Sequence, residues 1–141
     1  MDTDRSSKPV TLSQYRALAD FRYELRRFLR YSEELTRRHG VTPLQYQVLL
    51  QVKGYPVGQE ATVGGLAERL QAKHHGVVAL VSRCEDARLV TRRISDADRR
   101  AVVVELTPKG ARLLERLARL HRNELLVIRE RLALPELQDT D

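Results

Sequence analysis

Few side chains in the sequence are equipped for covalent or metal chemistry, and their spacing does not suit a shared site. Cys84 is the single cysteine, so an intrachain disulfide is impossible, and a redox role would require an accessible thiolate of low pKa. His74 and His75 are adjacent, and neighbouring side chains on a helix point about 100° apart, which disfavours a shared metal ion. The chain contains no HExxH, no GxSxG and no glycine loop for phosphate. We therefore expect no catalysis, no metal and no cofactor.

Arginines are concentrated where a phosphate backbone would use them. Arg92 and Arg93 precede a short polar segment, and Arg99 and Arg100 end it. Guanidinium groups bind phosphates through paired hydrogen bonds and suit the narrow minor groove, where negative potential is concentrated. The net charge of +6, from 25 Lys and Arg against 19 Asp and Glu, fits an acidic polymer as partner. We expect DNA contacts from at least two of the four, while Arg99 or Arg100 has the alternative of pairing with an aspartate of the turn.

Two short amphipathic helices and a hairpin must position these arginines. Apolar residues recur at i, i+3, i+4 and i+7 in each helix, namely Val63, Leu66, Ala67 and Leu70, then Val77, Leu80, Val81 and Cys84. Residues 71–73 form the polar break between the helices. Residues 89–95 and 101–106 are rich in Val and Ile and flank the polar turn, as in a β-hairpin. Residues 62–107 are therefore predicted to be a winged helix-turn-helix.

The second of these helices would enter the major groove by its N-terminal residues. Lys73 reaches a phosphate or a guanine edge, a histidine hydrogen-bonds to a base edge, and Val77 meets a thymine methyl group. Gly76 permits close backbone approach. The DNA contacts predicted on this helix are Lys73, His74, His75, Gly76, Val77, Ser82 and Arg83. A solvated surface is the alternative for the two histidines.

Long helices are predicted on both sides of the motif, over residues 11–39 and 108–134. The first has a heptad-like apolar stripe and, at ~1.5 Å per residue, a length of about 40 Å. The second is apolar on two faces, one for its own domain and one for a second copy of the chain. The predicted dimer contacts are Leu18, Leu25, Leu114, Ala118, His121, Leu125, Ile128 and Leu132. Residues 1–10 are expected to form a flexible arm, and residues 135–141 a polar tail.

Several local signals fix where helices begin. Thr42, Pro43 and Gln45 form a capping box with proline at the first helical position. Thr107 and Pro108 repeat the cap-then-proline order. Gly64 and Gly65 follow the cap Thr62, and each costs the helix roughly 1 kcal/mol relative to alanine without an evident local reason. The aromatic residues Tyr15, Phe21, Tyr31 and Tyr46 either line a ligand pocket between the long helix and the second helix or pack in the core.

The chain resembles the MarR family of bacterial winged helix-turn-helix regulators. The resemblance rests on LAERL at 66–70, VVALVSRCEDARLV at 77–90, and DRRA at 98–101 followed by VELTPKG at 104–110. It implies an obligate homodimer that occupies a palindromic promoter site, usually as a repressor, and that a small aromatic ligand releases in many members. It also places Asp98 and Arg100 at the wing tip and residues 73–77 at the start of the recognition helix. Cys84 and the paired glycines depart from the family pattern.

The predicted fold class is mainly α with a small β-hairpin wing (α+β), in one domain over residues 11–134. The predicted function is a cytoplasmic, bacterial regulator that binds double-stranded DNA as a homodimer. Two alternatives stay open: a winged-helix protein–protein interaction module, and a redox-responsive regulator that uses Cys84. No apolar run approaches the ~18 residues of a membrane span, and the first ten residues lack the apolar core of a signal peptide.

Overall fold

The structure, a computed structural model, describes residues 7–137. Its elements follow the order α1 (Leu12–Arg38), α2 (Pro43–Lys53), α3 (Val63–Leu70), α4 (His74–Asp86), β1 (Val90–Ile94), β2 (Val102–Leu106) and α5 (Pro108–Ile128). The predicted fold class, mainly α with a two-stranded wing, is confirmed. The ends of the predicted arm and tail, residues 1–6 and 138–141, lie outside the described residues. Within residues 7–137, none of the helices is long and apolar enough to cross a membrane.

Threonine caps begin four of these helices. The side chains of Thr11, Thr42, Thr62 and Thr107 each accept a hydrogen bond from the backbone N–H three residues later. The capping box at α2 is as predicted: Thr42 Oγ1 accepts from Gln45 N at 3.1 Å, and Gln45 Oε1 accepts from Thr42 N at 2.9 Å. Helix α4 differs, because Lys73 precedes it without a side-chain cap. The first N–H groups of α4 are therefore left for another acceptor.

The core lies between the helix-turn-helix, the hairpin, α2 and α5. The apolar stripes predicted on α3 and α4 face it: Val63, Leu66 and Ala67, then Val77, Leu80, Val81 and Cys84, are all buried. Strands β1 and β2 pair in antiparallel register from Val90–Leu106 to Ile94–Val102. The segment before α3 joins the hairpin through Val104 N, which donates to Ala61 O at 2.9 Å. This contact fixes the base of the wing against the first helix of the motif.

Helices α1 and α5 run antiparallel along one side of the domain. Tyr31 Oη donates to Leu120 O at 3.4 Å, and further towards the start of α1 the Gln14 side chain donates to Leu137 O at 3.2 Å. Only the last part of α1 is covered, since its buried residues are Ser32, Leu35 and Thr36. The first five turns of α1 contain no fully buried residue, and near their end Phe28 contacts the ring of His121 edge-on.

Two predictions about the C-terminal helix are wrong. The helix ends at Ile128 rather than at residue 134, because the Ile128 carbonyl accepts from Arg131 N and Leu132 N in a closing turn and Leu134 is 82% exposed. Packing therefore gives no support to further turns. The seven-residue stripe Leu114, His121 and Ile128 was predicted to face a partner, but each is at most 6% exposed within one protomer. That stripe is the inner face of α5.

Candidate nucleic-acid interface

The start of α4 is the most open part of the helix-turn-helix. Lys73, His74, His75 and Gly76 are all exposed, as a contact with DNA requires. Val77 is fully buried, so the prediction that it meets a thymine methyl group is wrong. The reason is helical geometry, because Val77 belongs to the apolar stripe that turns inward.

Val78 is a large apolar side chain that α4 presents outward, and it was not among the predicted contacts. It is 36% exposed and lies one position beyond the buried Val77. Ser82 is partly covered, and its hydroxyl donates to Val78 O at 3.0 Å within the helix. Arg83 is exposed. The outward face of α4 therefore offers Lys73, the two histidines, Gly76, Val78 and Arg83.

A groove of about 320 Å³ lies between the start of α3, the start of α4 and the hairpin. It brings together residues that are far apart in sequence: His74 from α4, and Arg92 and Arg100 from the wing. The remaining lining residues are Thr62, Val63, Gly64, Val78, Ala101 and Val102. The start of α4 and the wing therefore share one continuous surface.

Arg92 and Arg93 are neighbours, but they point to opposite faces of β1, as alternation along a strand requires. Arg92 Nη2 donates to Glu85 Oε1 at 3.1 Å, which ties β1 to the end of α4. Arg93 is bound twice: its Nη2 donates to Glu60 Oε2 at 2.9 Å, and its Nε donates to Glu105 Oε1 at 2.8 Å. The hydrogen bonds from Arg93 to Glu105 and Glu60 raise the pKa of this guanidinium. A contact of Arg93 with DNA stays a prediction, and it would have to compete with the two carboxylates that already bind this side chain.

The wing tip carries the cations that remain available. Asp98 Oδ1 accepts from Arg100 N at 3.0 Å and from Arg100 Nε at 3.4 Å, which confirms the expected pairing of one tip arginine with the turn. The Arg100 side chain is nevertheless 93% exposed. Arg99 is exposed and makes no ion pair within residues 7–137. Asp98 therefore shapes the turn, and Arg99 and Arg100 project from it.

The four aromatic residues predicted to line a pocket do not come together. Tyr31 and Tyr46 both contact His121, with the Tyr46 ring stacked on the imidazole at a centroid distance of 4.5 Å. Tyr15 lies 16 residues before Tyr31 on α1, roughly 24 Å along the helix axis, and is 59% exposed. Phe21 lies between them on α1 and is only half-buried. Core packing therefore explains Tyr31 and Tyr46, and a common pocket for all four is wrong.

A cleft of about 480 Å³ opens instead between α2, the end of β2 and α5. Its walls are mainly apolar, and cationic side chains stand at its edge. The lining residues are Leu50, Lys53, Leu106, Ala111, Leu114, Glu115, Ala118, Arg119 and Arg122. None of the aromatic residues predicted for a ligand belongs to it.

His121 is a hydrogen-bonded core residue. Its Nδ1 lies 2.7 Å from Leu117 O, and because a carbonyl only accepts, Nδ1 carries the hydrogen. Nε2 lies within hydrogen-bond distance of Ser32 Oγ, at 2.7 Å. Both ring nitrogens thus have partners inside one protomer. His121 links α5 to α1 within that protomer and does not face the predicted dimer interface.

Cys84 is buried on the inner face of α4. Burial raises the pKa of its thiol to about 11, so the thiolate is scarce at neutral pH. A redox sensor needs an accessible thiolate, whereas the Cys84 sulfur is buried and stays mostly in the neutral thiol form. The structure therefore contradicts the redox alternative and confirms Cys84 as a stand-in for a buried aliphatic residue. Within residues 7–137, no group of three or more His, Cys, Asp and Glu is placed to hold a metal ion.

Comparison with known proteins agrees with this geometry. A model described as MarR family matches residues 39–101. The HTH-type transcriptional repressor MdtR of Bacillus subtilis is 32% identical over 77 residues, which are 55% of this chain and 48% of that protein. The chain spans about half the length of the curated relatives that it matches.

Solved structures extend the similarity over most of the chain. AbsC, a MarR family transcriptional regulator from Streptomyces coelicolor, aligns with a TM-score of 0.75 at 22% identity, over 92% of this chain and 87% of that one. MepR of Staphylococcus aureus in a DNA complex aligns with a TM-score of 0.68 at 19% identity, over 89% of this chain and 86% of that one. The matched segment, the curated relative and the shared architecture together show that the chain is similar to proteins of the MarR family.

Proposed function

We propose that the chain is a sequence-specific DNA-binding transcription regulator, acting as a repressor at a palindromic promoter site. The observation that carries the proposal is the single surface formed by the open start of α4 and the wing tip. Lys73 and the two histidines occupy the part of α4 that would meet base edges, and Arg99 extends from the tip toward a neighbouring groove. The MepR structure, whose fold this chain shares, is a complex with DNA. A regulator of this kind works in the cytoplasm, where bacterial DNA lies.

The regulator acts as a homodimer in this proposal, because one end of the protomer carries apolar side chains without a partner. The first five turns of α1 bury no residue. The antiparallel pairing of α1 with α5 brings the end of α5 to the same place. The exposed apolar residues there are Val10, Leu12, Tyr15, Leu18, Leu125, Leu126, Val127, Leu134 and Leu137. A patch of this kind marks an interaction surface, and a two-fold dimer would bury it against its own copy.

Release of the DNA by an effector is also part of the proposal. A small aromatic ligand would find its most suitable site in the cleft between α2 and α5, with apolar walls from Leu50 and Leu114. Arg119 is paired with Glu115 of the same lining, so Lys53 and Arg122 are the cations that would favour a ligand with an anionic group. Occupation of this cleft would act on α5 and the end of β2, the elements that join the wing to the dimer helices.

The proposal is tested by anisotropy titrations against the DNA that flanks the coding region, at 50 and 200 mM salt, with light scattering on the same sample. Contacts with ~6–10 phosphates predict a loss of roughly 10³–10⁵ in affinity between these conditions, by a species of dimer mass. Preference for a palindromic fragment over random DNA is expected. Weak binding that ignores both salt and sequence would contradict the proposal and favour the protein–protein interaction module.

The dimer surface gives a separate prediction. Leu125→Asp places a charge on the exposed end of α5, and we expect a soluble monomer whose operator affinity has fallen by at least about 100-fold, because the two half-sites no longer bind as one unit. Light scattering and titration measure the two effects. Val57→Asp is the matched control, since Val57 is fully exposed in the loop after α2. A monomeric Leu125→Asp variant with undiminished affinity would contradict the dimer model.

A further inference from the structure

We infer that Glu60 is a positioning residue for DNA binding, because its carboxylate holds the wing tip against the helix-turn-helix. This inference rests on the proposed function. Glu60 lies in the loop before α3 and has no predicted role in the sequence. An acidic residue beside a DNA-binding surface would ordinarily weaken affinity by repelling phosphates. The contacts of Glu60 indicate the opposite effect.

Each oxygen of the Glu60 carboxylate binds a different residue of the wing. Oε1 accepts from Ser95 Oγ at 2.8 Å, and Oε2 accepts from Arg93 Nη2 at 2.9 Å. The hydrogen bonds from Ser95 and Arg93 lower the pKa of Glu60, which keeps the carboxylate ionised at neutral pH. Charge-assisted hydrogen bonds of this kind are stronger than neutral ones. The loop before α3 and the wing are therefore linked by the side chain of one residue.

Ser95 connects the Glu60 carboxylate to the backbone of the wing tip. It is only 3% exposed, and its Oγ accepts from Ala97 N and from Asp98 N, both at 3.2 Å. Because the hydroxyl hydrogen is donated to Glu60, the Ser95 oxygen keeps its lone pairs for these two N–H groups. Asp98 in turn accepts from Arg100. Glu60 thus lies at the base of a hydrogen-bonded chain that ends at Arg100, the neighbour of Arg99 at the exposed tip.

Within the described residues, no backbone hydrogen bond joins the wing tip to the segment before α3. The last strand pair before the tip is Ile94–Val102, and the contacts between the hairpin and the segment before α3 lie at Val103 and Val104. Ser95 N donates to Ala101 O at 3.0 Å, which closes the hairpin on itself without reaching α3. In the part of the chain that the structure describes, Glu60 therefore provides the hydrogen-bonded link between the segment before α3 and the wing beyond the Ile94–Val102 pair.

Removal of Glu60 distinguishes charge repulsion from tip positioning, because the two effects change DNA affinity in opposite directions. Glu60→Ala makes the surface more positive by one charge and frees Arg93 from one carboxylate, so simple electrostatics predicts tighter DNA binding. Loss of tip position predicts weaker binding, because an arginine that must be ordered at the moment of binding loses part of its interaction energy. Glu68→Ala is the matched control. Glu68 is exposed on α3, and within residues 7–137 its carboxylate hydrogen-bonds to Gln71 alone, so its removal makes the same charge change without touching the wing.

The experiment compares operator affinity and tip motion in the same proteins. We expect Glu60→Ala to weaken specific binding by about tenfold, Glu68→Ala to leave it equal or tighter, and Glu60→Gln, whose amide oxygen still accepts from Ser95, to fall between. Tip motion is followed in the DNA-free protein by nanosecond fluorescence depolarisation of a dye on Ala97→Cys. Cys84 is buried and does not compete for the label. Glu60→Ala is expected to raise the amplitude of the fast decay, and Glu68→Ala is not.

Operator affinity and depolarisation together distinguish a failure of the role of Glu60 from a failure of the proposed function. Unchanged depolarisation in Glu60→Ala, or a gain in affinity equal to that of Glu68→Ala, overturns the role of Glu60. If the unsubstituted protein shows no specific DNA binding, the proposed function fails, while the depolarisation of the free protein still decides whether Glu60 holds the tip. Matching thermal unfolding curves exclude a general loss of fold as the cause.

Discussion

Gly110→Ala is expected to destabilise the protein by about 2–3 kcal/mol, although alanine is the better helix former. Gly110 is buried in the first turn of α5, and its N–H donates to Thr107 Oγ1 at 3.0 Å. A Cβ at this position would overlap the carbonyl group of Leu89 and approach its Cα to 3.1 Å. The Leu89 carbonyl cannot easily retreat, because it accepts the hydrogen bond from Thr107 N at 3.0 Å. The start of α5 would have to move away from the hairpin.

Gly64→Ala is the matched control, since Gly64 also lies in the first turn of a helix and a Cβ there meets nothing within 4 Å. Alanine should stabilise α3 by roughly 0.5–1 kcal/mol, through the lower entropy of the unfolded chain. Urea unfolding of both variants measures the difference, and Gly110→Ala should lower the melting temperature by roughly 10 °C. Destabilisation of the same size in both variants would show that helix propensity, and not the contact with Leu89, decides the outcome.

The paired glycines illustrate what a sequence pattern leaves open. Gly65 has a structural reason, because a Cβ there would overlap the hydroxyl group of Tyr55, which packs over the start of α3. Gly64 has no such contact. In the sequence, the two adjacent glycines carry the same helix-propensity cost. Only the position of Tyr55, ten residues before Gly65, distinguishes them.

Local signals predicted the helix starts correctly, because a cap and its partner lie within three residues of each other. The capping box of Thr42 and Gln45 and the cap at Thr107 are examples. The positions of the apolar stripes were predicted as well, but what each stripe packs against was not. Periodicity predicted that Leu114 and Ile128 share a face, and the structure shows that this face covers the protomer's own core.

The charged residues of the wing show the same limit. Four arginines in a short segment are equivalent when only their spacing is known. Their partners lie elsewhere in the chain: Glu85 is seven residues from Arg92, and Glu60 is 33 residues from Arg93. Ion pairs across such separations depend on how the hairpin docks on the helix-turn-helix, which composition does not encode. In the structure, carboxylates hold Arg92 and Arg93, whereas Arg99 and Arg100 project from the tip.

Arg99→Ala is expected to reduce operator affinity more than any other single change in the wing. Arg99 projects from the tip and forms no ion pair within the described residues, so its guanidinium is available to DNA without breaking an existing contact. Loss of one arginine contact is worth ~1–3 kcal/mol, and a symmetric dimer loses it twice. Titrations at several salt concentrations should also show a shallower dependence on salt, by about one phosphate contact per protomer.

Arg116→Ala controls for net charge, because Arg116 is exposed on α5, away from the wing and the start of α4. Equal losses in the two variants would mean that only overall charge matters and would contradict a wing contact at Arg99. The double variant Arg99→Ala and Arg100→Ala should bind still more weakly, but it also removes the side-chain bond to Asp98 that shapes the turn. Arg99 alone therefore separates a contact with DNA from the support of the loop that presents it.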